Sequence, residues 1–400
     1  MEVLVTLEEA QRQILDRVRP LEAEDVPVAE SAGRVAAEDV RARVDLPPFP
    51  SSAMDGFAVR STDTPGTLPV VFRVAAGRPA ERPLADGEAM GISTGGVVPE
   101  GADAVVPLEI VVEGGNSIEI PKPVPAGASV RPRGGDVSAG DVVVRAGTRI
   151  NAAQVGALAA AGVERVRCAR APFVAVVSTG TELVPPGAPL GPGQVYEANG
   201  VMLAAALAAA GAQTVAPVSV ADDEAAHREA LERGLEADVL VTSGGVSVGP
   251  HDLVRATERE LGVEEVFWRV AIKPGKPVAF GLRGRTLVFG LPGNPVSALV
   301  GCELFVKPAL RALQGLVDPL PRFEPGRLAA PLRRNDSRDE LVRARVRRDD
   351  EQIVLEPLSG QESHMIAAAA AADALVHVPR GEGEIAAGAT VRWLRLGVSG

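Results

Sequence analysis

From residue 172 to residue 313 the apolar positions fall in short runs, each followed by small or glycine residues and then by a stretch of helical spacing. Phe173–Val177, Val215–Val220, 238–241, Val266–Ile272 and Thr286–Phe289 read as strands. The run Val239-Leu240-Val241 is apolar throughout, as expected of a parallel strand covered on both faces. Between the strands the spacing predicts helices over Asn199–Ala210, which Gly211 ends, over Glu224–Gly234, over Leu253–Leu261 and over Val296–Leu313. Strand, loop and helix alternating in this way predict a doubly wound α/β domain, which binds ligands beyond the carboxyl ends of its strands.

The flanking segments read differently. Residues 6–18 form an amphipathic helix with Thr6 as cap and Glu9 three residues on, and Leu7, Ala10, Ile14, Leu15 and Val18 share one face. Residues 28–35 are a short turn-helix leading into strand-like Val40–Val44. The prolines of Pro47-Pro-Phe-Pro50 force an extended path, and Asp55-Gly56 is a turn signal before strand-like Phe57–Val59. From there to residue 136, short strands broken by glycine and proline predict a compact β-rich unit; Val70–Val74, Ala104–Val106 and Ile110–Val112 are examples. Asn151–Gly162 reads as a capped helix ending at a glycine. After Pro319 the helices stop. Leu341–Val346 alternates, with Arg343 and Arg345 on the side of Leu341, and Ile353–Pro357, Ala374–Val378 and Thr390–Leu396 complete a small all-β unit.

The candidate chemistry lies in the loops that close the strands. Ser178-Thr179-Gly180-Thr-Glu182, Thr242-Ser243-Gly244-Gly245 and Gly290-Leu-Pro292-Gly293-Asn294-Pro295 are small-residue turns whose backbone N–H groups are free to face an anion. Asp222, Asp252, Glu182, Lys273 and Lys276 stand in the same set of loops, so one crevice would carry carboxylates beside ammonium groups. Asp252 either serves a metal or ligand group or caps the helix after it. Lys273 and Lys276 are braced by Pro274 and Pro277 on a stiff turn.

Composition removes other classes. A hydrophobic share of 46% fits a folded globular chain, and the most apolar window, Val201–Ala212, is too short for a membrane span. The amino-terminal stretch has no basic region of a secretory signal, which makes the cytoplasm the expected compartment. Two separated cysteines and four scattered histidines offer neither a disulfide framework nor a thiolate or histidine metal centre. A formal net charge of −11 argues against a general nucleic-acid binder.

In one order, the motifs Ser52-Ala-Met-Asp-Gly-Phe-Ala58, Thr94-Gly-Gly with Gly101-Ala-Asp-Ala-Val-Val106, and Arg133-Gly-Gly-Asp136 are followed by Ser178-Thr-Gly-Thr-Glu-Leu183 and by Ser243-Gly-Gly-Val-Ser247-Val-Gly249 with Asp252. Ala271-Ile-Lys-Pro-Gly-Lys-Pro277 and Gly290-Leu-Pro-Gly-Asn-Pro-Val-Ser297 complete the series. Together they resemble the MoeA family of molybdopterin molybdenumtransferases, the molybdenum insertases, which are related to the C-terminal domain of gephyrin. The resemblance covers nearly the whole chain.

It implies an α/β multidomain protein. An N-terminal helix (1–26) would pack on the sheet domain. An elongated linker domain (27–43 and 137–171) would carry a β-rich inserted domain (44–136). A central doubly wound molybdopterin-binding domain (172–320) and a C-terminal all-β barrel (321–400) would follow. The resemblance further implies a homodimer whose site lies between subunits, with the partner's β-rich domain over the crevice. No nucleic-acid or membrane partner is implied, whereas a molybdopterin adenylyltransferase and molybdoenzyme maturation proteins are possible partners.

The implied reaction takes adenylylated molybdopterin and molybdate with a magnesium ion, hydrolyses the phosphoanhydride, leaves molybdenum on the dithiolene and releases AMP. Asp222 and Asp252 are then expected to hold magnesium or position water, while Glu182, Asp55 and Asp136 hold the pterin or shape the pocket. Thr94, Ser178, Thr179, Gly180, Ser243, Gly244, Gly245, Ser247, Pro292, Gly293, Asn294 and Pro295 would bind the pterin substrate. Lys273, Lys276, Arg343 and Ser363 would bind molybdate. Arg269 stands where some relatives carry lysine. Two other readings compete: the preceding adenylyl transfer, done by a sibling that lacks both the 44–136 insertion and the barrel, and a gephyrin-like scaffold that binds a peptide.

Overall fold

The computed structural model describes residues 4–75, 77–220, 223–245, 253–349 and 352–397. The chain divides into two compact units, Met1–Glu24 with Ala169–Gly400, and Asp25–Cys168.

The first unit is organised by a seven-stranded sheet. Its order runs from Gln213–Thr214 and Val218–Val220 through Phe173–Thr179, Val239–Ser243, Thr286–Leu291 and Ala279–Arg283 to Glu264–Trp268. The strands from 173, 213, 218, 239 and 286 are mutually parallel. Period-two alternation divides their side chains between two cores. Val174, Val176, Val239, Val241, Leu287 and Phe289 pack under the helices Leu7–Leu15, Asn199–Ala209 and Lys307–Leu313. Ala175, Val177, Leu240 and Val288 pack under Glu224–Gly234 on the other face. With both faces covered, the apolar run at 239–241 is fully buried, as its sequence predicts.

Helix ends follow their signals. Thr6 accepts the Glu9 N–H, and Asp223 caps Glu224–Gly234 by accepting the Ala226 N–H. Several strand and helix expectations are corrected: Val40–Val44 is strand only over Val40–Arg41, and Ile110–Val112 gives way to a 3-10 turn, Leu108–Ile110, before the strand Val112–Gly114. Of Val215–Val220 only Val218–Val220 is strand, and a separate short strand, Gln213–Thr214, precedes it. The strand expected at 266–272 ends at Trp268, because Arg269 takes φ 71° and turns the chain away. Ile272–Lys273 then pairs in parallel with the barrel strand Asp339–Asp349. The sheet also contains an antiparallel hairpin, Ala279–Arg283 with Thr286–Leu291, that the alternation did not reveal. The last long helix is interrupted by a π-turn at Cys302–Val306, whose Leu304 carbonyl accepts a hydrogen bond from Gln11 Nε2.

A closed barrel completes this unit: Asp339–Asp349, Gln352–Pro357, Glu324–Leu328, Thr390–Arg395 and Ala374–Val378, which pairs back to the first. Val342, Ala344, Val376 and Trp393 fill its interior, while Leu341, Leu375 and Leu394 join the core of the sheet domain. Leu341 to Ala344 is therefore buried on both faces. Ile366–Ala369 adds one helical turn where none is expected.

The second unit contains a six-stranded sheet ordered Ala104–Pro107, Gly56–Val59, Ala89–Ile92, Gly66–Val74, Ser117–Ile120 and Val112–Gly114. Gly56 is obligatory there, since a Cβ would stand 2.0 Å from the Val106 carbonyl oxygen. A separate small core collects Val26, Val40, Val144, Ile150, Leu158 and Val166. Its helix Ala152–Ala160 begins with a reciprocal cap between Asn151 and Gln154.

At the amino end of the first unit's sheet, Arg170 grips Asp238 through two hydrogen bonds of 2.6 Å, and Asp238 also accepts the Phe173 N–H at 2.8 Å. Burial pushes the Asp238 carboxyl up, but the Arg170 and Phe173 hydrogen bonds outweigh it and hold its pKa below the ordinary value. A carboxyl with a lowered folded-state pKa stabilises the fold fully above its unfolded value, about 3.9, and loses that contribution as pH falls through the folded one. Asp238→Asn should therefore lower the melting temperature at pH 7, with the gap to the wild type closing below about pH 4. A gap that stays constant through acid would show that the charge does not contribute.

Candidate functional site

The strands Phe173–Thr179, Val239–Ser243 and Thr286–Leu291 end level with one another, Ser178 pairing with Ser243 and Ser243 with Leu291. From Phe173–Thr179 the chain passes to the outer strand Val218–Val220, then returns to Val239–Ser243 on the opposite side. The strand order reverses between these two neighbours, so their loops diverge and open a crevice at the carboxyl edge.

Glycine lets the loops touch. Gly244 has φ 97°, and a Cβ there would lie 2.6 Å from the Thr179 carbonyl oxygen and 2.8 Å from Thr179 Oγ1. Gly245 has φ 64°, and a Cβ would meet Val254 Cγ2 at 2.4 Å. Packed beneath these glycines, Thr179 Oγ1 is buried and has no hydrogen-bond partner among the described residues. An unpaired buried hydroxyl is costly, so a ligand oxygen arriving there gains a ready donor. Gly180 donates its N–H to the Val220 carbonyl at 3.1 Å. A Cβ at Gly180 would stand 2.5 Å from Glu182 Oε1, so the exposed Glu182 folds back over the turn.

Hydrogen bonds tie the other loops together. Asn199 donates through Nδ2 to Ser243 Oγ at 2.9 Å and to the Gly293 carbonyl at 2.7 Å. Ser243 Oγ donates to the Pro292 carbonyl at 3.3 Å, and the Gly244 N–H to the Leu291 carbonyl at 3.1 Å. Pro295 opens the helix Pro295–Gly301, where a missing N–H costs nothing. Just before it, Asn294 Nδ2 donates to Ser363 Oγ at 2.8 Å, and Val296 N–H donates to the Ser363 carbonyl at 3.0 Å. Ser363 thus joins the barrel to the crevice. A Cβ at Gly275 would lie 3.6 Å from the Ser297 carbonyl oxygen, which sets the lysine turn against the same helix start.

The expected cations differ in their surroundings. Lys273 Nζ is paired with Glu340 Oε1 at 3.0 Å. The Lys276 ammonium is half-buried and has no ion pair or hydrogen bond among the described residues. Arg343, expected to hold molybdate, is 2% exposed and faces inward to a loop. Its guanidinium donates to the carbonyls of Gly360, Glu362 and Met365 and to Gln361 Oε1, at 2.9 to 3.3 Å. Gln361 in turn accepts the Arg343 N–H and donates to the Arg343 carbonyl. Burial lowers the Arg343 pKa, with Glu362 opposing. These bonds make Arg343 a brace for the turn that presents Ser363.

Asp222, Ser247 and Asp252 lie outside the described residues. In the second unit, Asp55 Oδ1 accepts the Thr94 N–H at 2.7 Å, and Gly95 and Gly96 bond to Ser52 beside it. Asp136 is exposed and anchored only by its N–H, which donates to the Leu46 carbonyl at 2.9 Å; its carboxylate has no bond to Asp55 or Thr94. Among the described residues no group of three or more His, Cys, Asp or Glu side chains is arranged to hold a metal ion.

Two site residues escape the sequence reading. Ser178 Oγ donates to Glu197 Oε1 at 2.9 Å, and the Gly200 N–H donates to the same oxygen at 2.6 Å. Glu197 is 6% exposed. An acid just before a helix ordinarily reads as a complement to its dipole, which hides a buried acceptor. Asn199 reads as a helix opener for the same reason. The only local signal was the glycine after it, which leaves room for the Glu197 side chain.

Comparison with known proteins agrees with this architecture. The family profile for the MoeA N-terminal region (domain I and II) matches residues 5–162, that for a probable molybdopterin binding domain matches 175–312, and that for the MoeA C-terminal region (domain IV) matches 325–396. The chain is 38% identical over 398 residues to molybdopterin molybdenumtransferase 2 of Mycobacterium tuberculosis, covering 96% of this chain and 97% of that one. It is also 38% identical to the molybdopterin molybdenumtransferase of Haemophilus influenzae over 320 residues, 78% of each chain. The crystal structure of the molybdopterin biosynthesis MoeA protein from Pyrococcus horikoshii superposes with a TM-score of 0.84 at 33% identity, over 98% of this chain and 99% of that one. With that much shared sequence along nearly its whole length, the chain belongs to the MoeA family of molybdopterin molybdenumtransferases.

Proposed function

We propose that this chain is a molybdenum insertase of molybdenum cofactor synthesis. It takes adenylylated molybdopterin and molybdate, cleaves the phosphoanhydride with water, releases AMP and leaves molybdenum on the dithiolene. The observation that carries the proposal is the joining of five loops into one anion-receptive crevice. Loops 178–182, 242–245, 291–295 and 360–365 are connected through Thr179, Asn199, Asn294 and Ser363, and Gly275 sets the fifth, 273–277, against the start of the helix after 291–295. Both substrates are anionic; the crevice supplies glycine backbone and a buried hydroxyl with no partner among the described residues, and the adjoining turn carries Lys276, which has no ion pair among them.

In this proposal Ser178, Thr179, Gly180, Ser243, Gly244 and Gly245 hold the phosphate end of the pterin substrate, and Pro292 to Pro295 form the facing wall. Lys276 is the principal molybdate ligand, and Ser363 a second one. Lys273 supports the turn through Glu340, and Arg343 acts through the loop it orders. Magnesium takes few carboxylates together with phosphate oxygens and water, so two carboxylates with the substrate's phosphates would suffice. Asp222 and Asp252 would hold it, and when bound it would screen the anhydride's charge. Glu182 shapes the lip of the crevice.

We further propose a cytoplasmic homodimer in which Asp55, Thr94 and Asp136 reach the crevice from the partner, with the linker and inserted domains bounded as the sequence predicts. The Asp55–Thr94 hydrogen bond supports a shared role for that pair.

The reaction is tested by giving the purified protein adenylylated molybdopterin, molybdate and magnesium and following AMP. Release dependent on both molybdate and magnesium is expected; no release, with tight peptide binding instead, would favour a scaffold. Lys276→Ala should raise the molybdate concentration for half-maximal rate about tenfold, the loss of one charged hydrogen bond. Lys273→Ala, which removes a solvated pair, should change it far less. Equal effects would refute the division of labour between the two lysines. Gly244→Ala should cost about 2 kcal/mol of stability and weaken pterin-substrate binding, since its Cβ collides with Thr179 in a left-handed conformation. Asp252→Asn should abolish AMP release with the dimer intact; unchanged turnover would remove that residue from the reaction.

A further inference from the structure

We propose that His377 and Asp339 form a proton-controlled clasp beside the lysine turn, so that molybdate binding tightens when His377 is charged. The inference rests on the molybdate-binding role proposed above for Lys276 and adds a positioning pair to it. His377 lies on the barrel strand Ala374–Val378, on the face shared with Leu375 and, across the ladder, with Leu341, both in the core of the sheet domain. It is 7% exposed. Its Nε2 stands 3.4 Å from Asp339 Oδ2, and that nitrogen has no hydrogen-bond partner among the described residues. The Asp339 side chain is 13% exposed.

A contact of this kind depends on the proton. Among the described residues Asp339 Oδ1 accepts the Arg380 N–H at 2.8 Å, whereas Oδ2 meets only the imidazole. A carboxylate kept from water is costly unless a donor or a cation reaches it. An imidazole whose Nε2 lacks a proton presents a lone pair there, and protonation supplies both the donor and the charge. The other charged groups around the ring are an opposing cation and two occupied ones. Arg392 lies opposite His377 on Thr390–Arg395 and stacks over the Phe323 ring at 4.9 Å, that ring being 5.8 Å from His377; its charge opposes protonation. Arg343 is held by carbonyl oxygens, and Lys273 is paired with Glu340.

Asp339 is also where the barrel meets the turn. Its N–H donates to the Ala271 carbonyl at 2.9 Å, and Asp339 and Glu340 pair in parallel with Ile272 and Lys273. One residue earlier, Val270 donates its N–H to the Lys276 carbonyl at 2.9 Å, and the Val278 N–H reaches the same oxygen at 3.0 Å. The backbone that carries the Lys276 ammonium is therefore closed directly onto the segment that Asp339 holds. With His377 charged, Asp339 is gripped through both oxygens and the turn is fixed. With His377 neutral, only the Arg380 N–H restrains that carboxylate, and a looser turn loses more freedom when it closes on an anion.

The test follows AMP release by the full-length protein at saturating adenylylated molybdopterin and magnesium. Molybdate is varied at about pH 6 and at about pH 8, where ordinary histidines are mostly charged and mostly neutral. The half-saturating molybdate concentration should rise about fivefold toward the alkaline end, a modest coupling between two sites. His377→Gln and Asp339→Asn should hold it at the alkaline value throughout. Arg392→Gln, which removes the opposing charge, should carry the tight value to higher pH. The melting-temperature gap between the wild type and His377→Gln should be wider at the acidic end, because the charged pair stabilises the junction and that contribution is lost as pH rises. A half-saturating concentration indifferent to pH, or variants that keep the wild-type pH dependence, would overturn the clasp and leave the insertase function standing. No AMP release at either pH would count against that function instead, and the melting-temperature gap would then decide the clasp, a gap equal at both ends refuting it.

Discussion

The site depends on how closely two neighbouring chains approach as they leave the sheet. Adjacent strands lie about 4.8 Å apart, and at the reversal of strand order their continuations part toward opposite faces. The crevice between them stays narrow only if the backbone of one loop rests on the other. Gly244 does this against Thr179, in a conformation that other residues adopt rarely and with no space for a Cβ. Any side chain there would spread the loops and fill the place a ligand oxygen should take. That the Thr179 hydroxyl has no partner among the described residues follows from the same contact, because glycine covers it without offering a hydrogen bond. Two apolar cores, one on each face, hold the strands rigid enough for that proximity to persist.

Positive charge is divided by use. Arg170 and Lys273 are paired with carboxylates, and Arg343 is spent on carbonyl oxygens, where its planar fork spans several acceptors at once. These groups order the chain and gain little by meeting an anion. Lys276 alone among the expected cations is left without a partner among the described residues. Its single ammonium on a flexible stem is what the proposed molybdate-binding role requires.

The legible parts of the sequence were those fixed by local periodicity and caps. The strands at 173 and 239, the helix Glu224–Gly234 and the Asn151 cap stand where their patterns place them. Less legible was whatever depends on distant pairing. The Ala279–Arg283 strand is short and next to a glycine-rich turn, and only its neighbour at 286–291 makes it a strand. Arg343 sits in a regular alternation that says outward, but the barrel's outer face is covered and the side chain is caught beneath the 358–366 turn. Glu197 looks like an ordinary acid near a helix start until Ser178 is brought against it from nineteen residues away in sequence.

That unforeseen hairpin also explains why the lysine turn reaches the site at all. Glu264–Trp268 is antiparallel to Ala279–Arg283, which is antiparallel to Thr286–Leu291, so two reversals restore the original direction. Trp268 therefore ends on the same edge as Ser243 and Leu291. Arg269 then takes a positive φ, and its side chain stacks on the Trp268 ring at 3.7 Å, which anchors the turn at its base. Beyond it Ala271 bonds to Val5, and Ile272–Lys273 pairs with the first barrel strand. The lysine turn is thus held by the sheet at one end and by the barrel alongside, while Ser363 reaches the crevice from the barrel's other loop. The position of Lys276 is a property of the junction between sheet and barrel, so the proposed anion site draws on both.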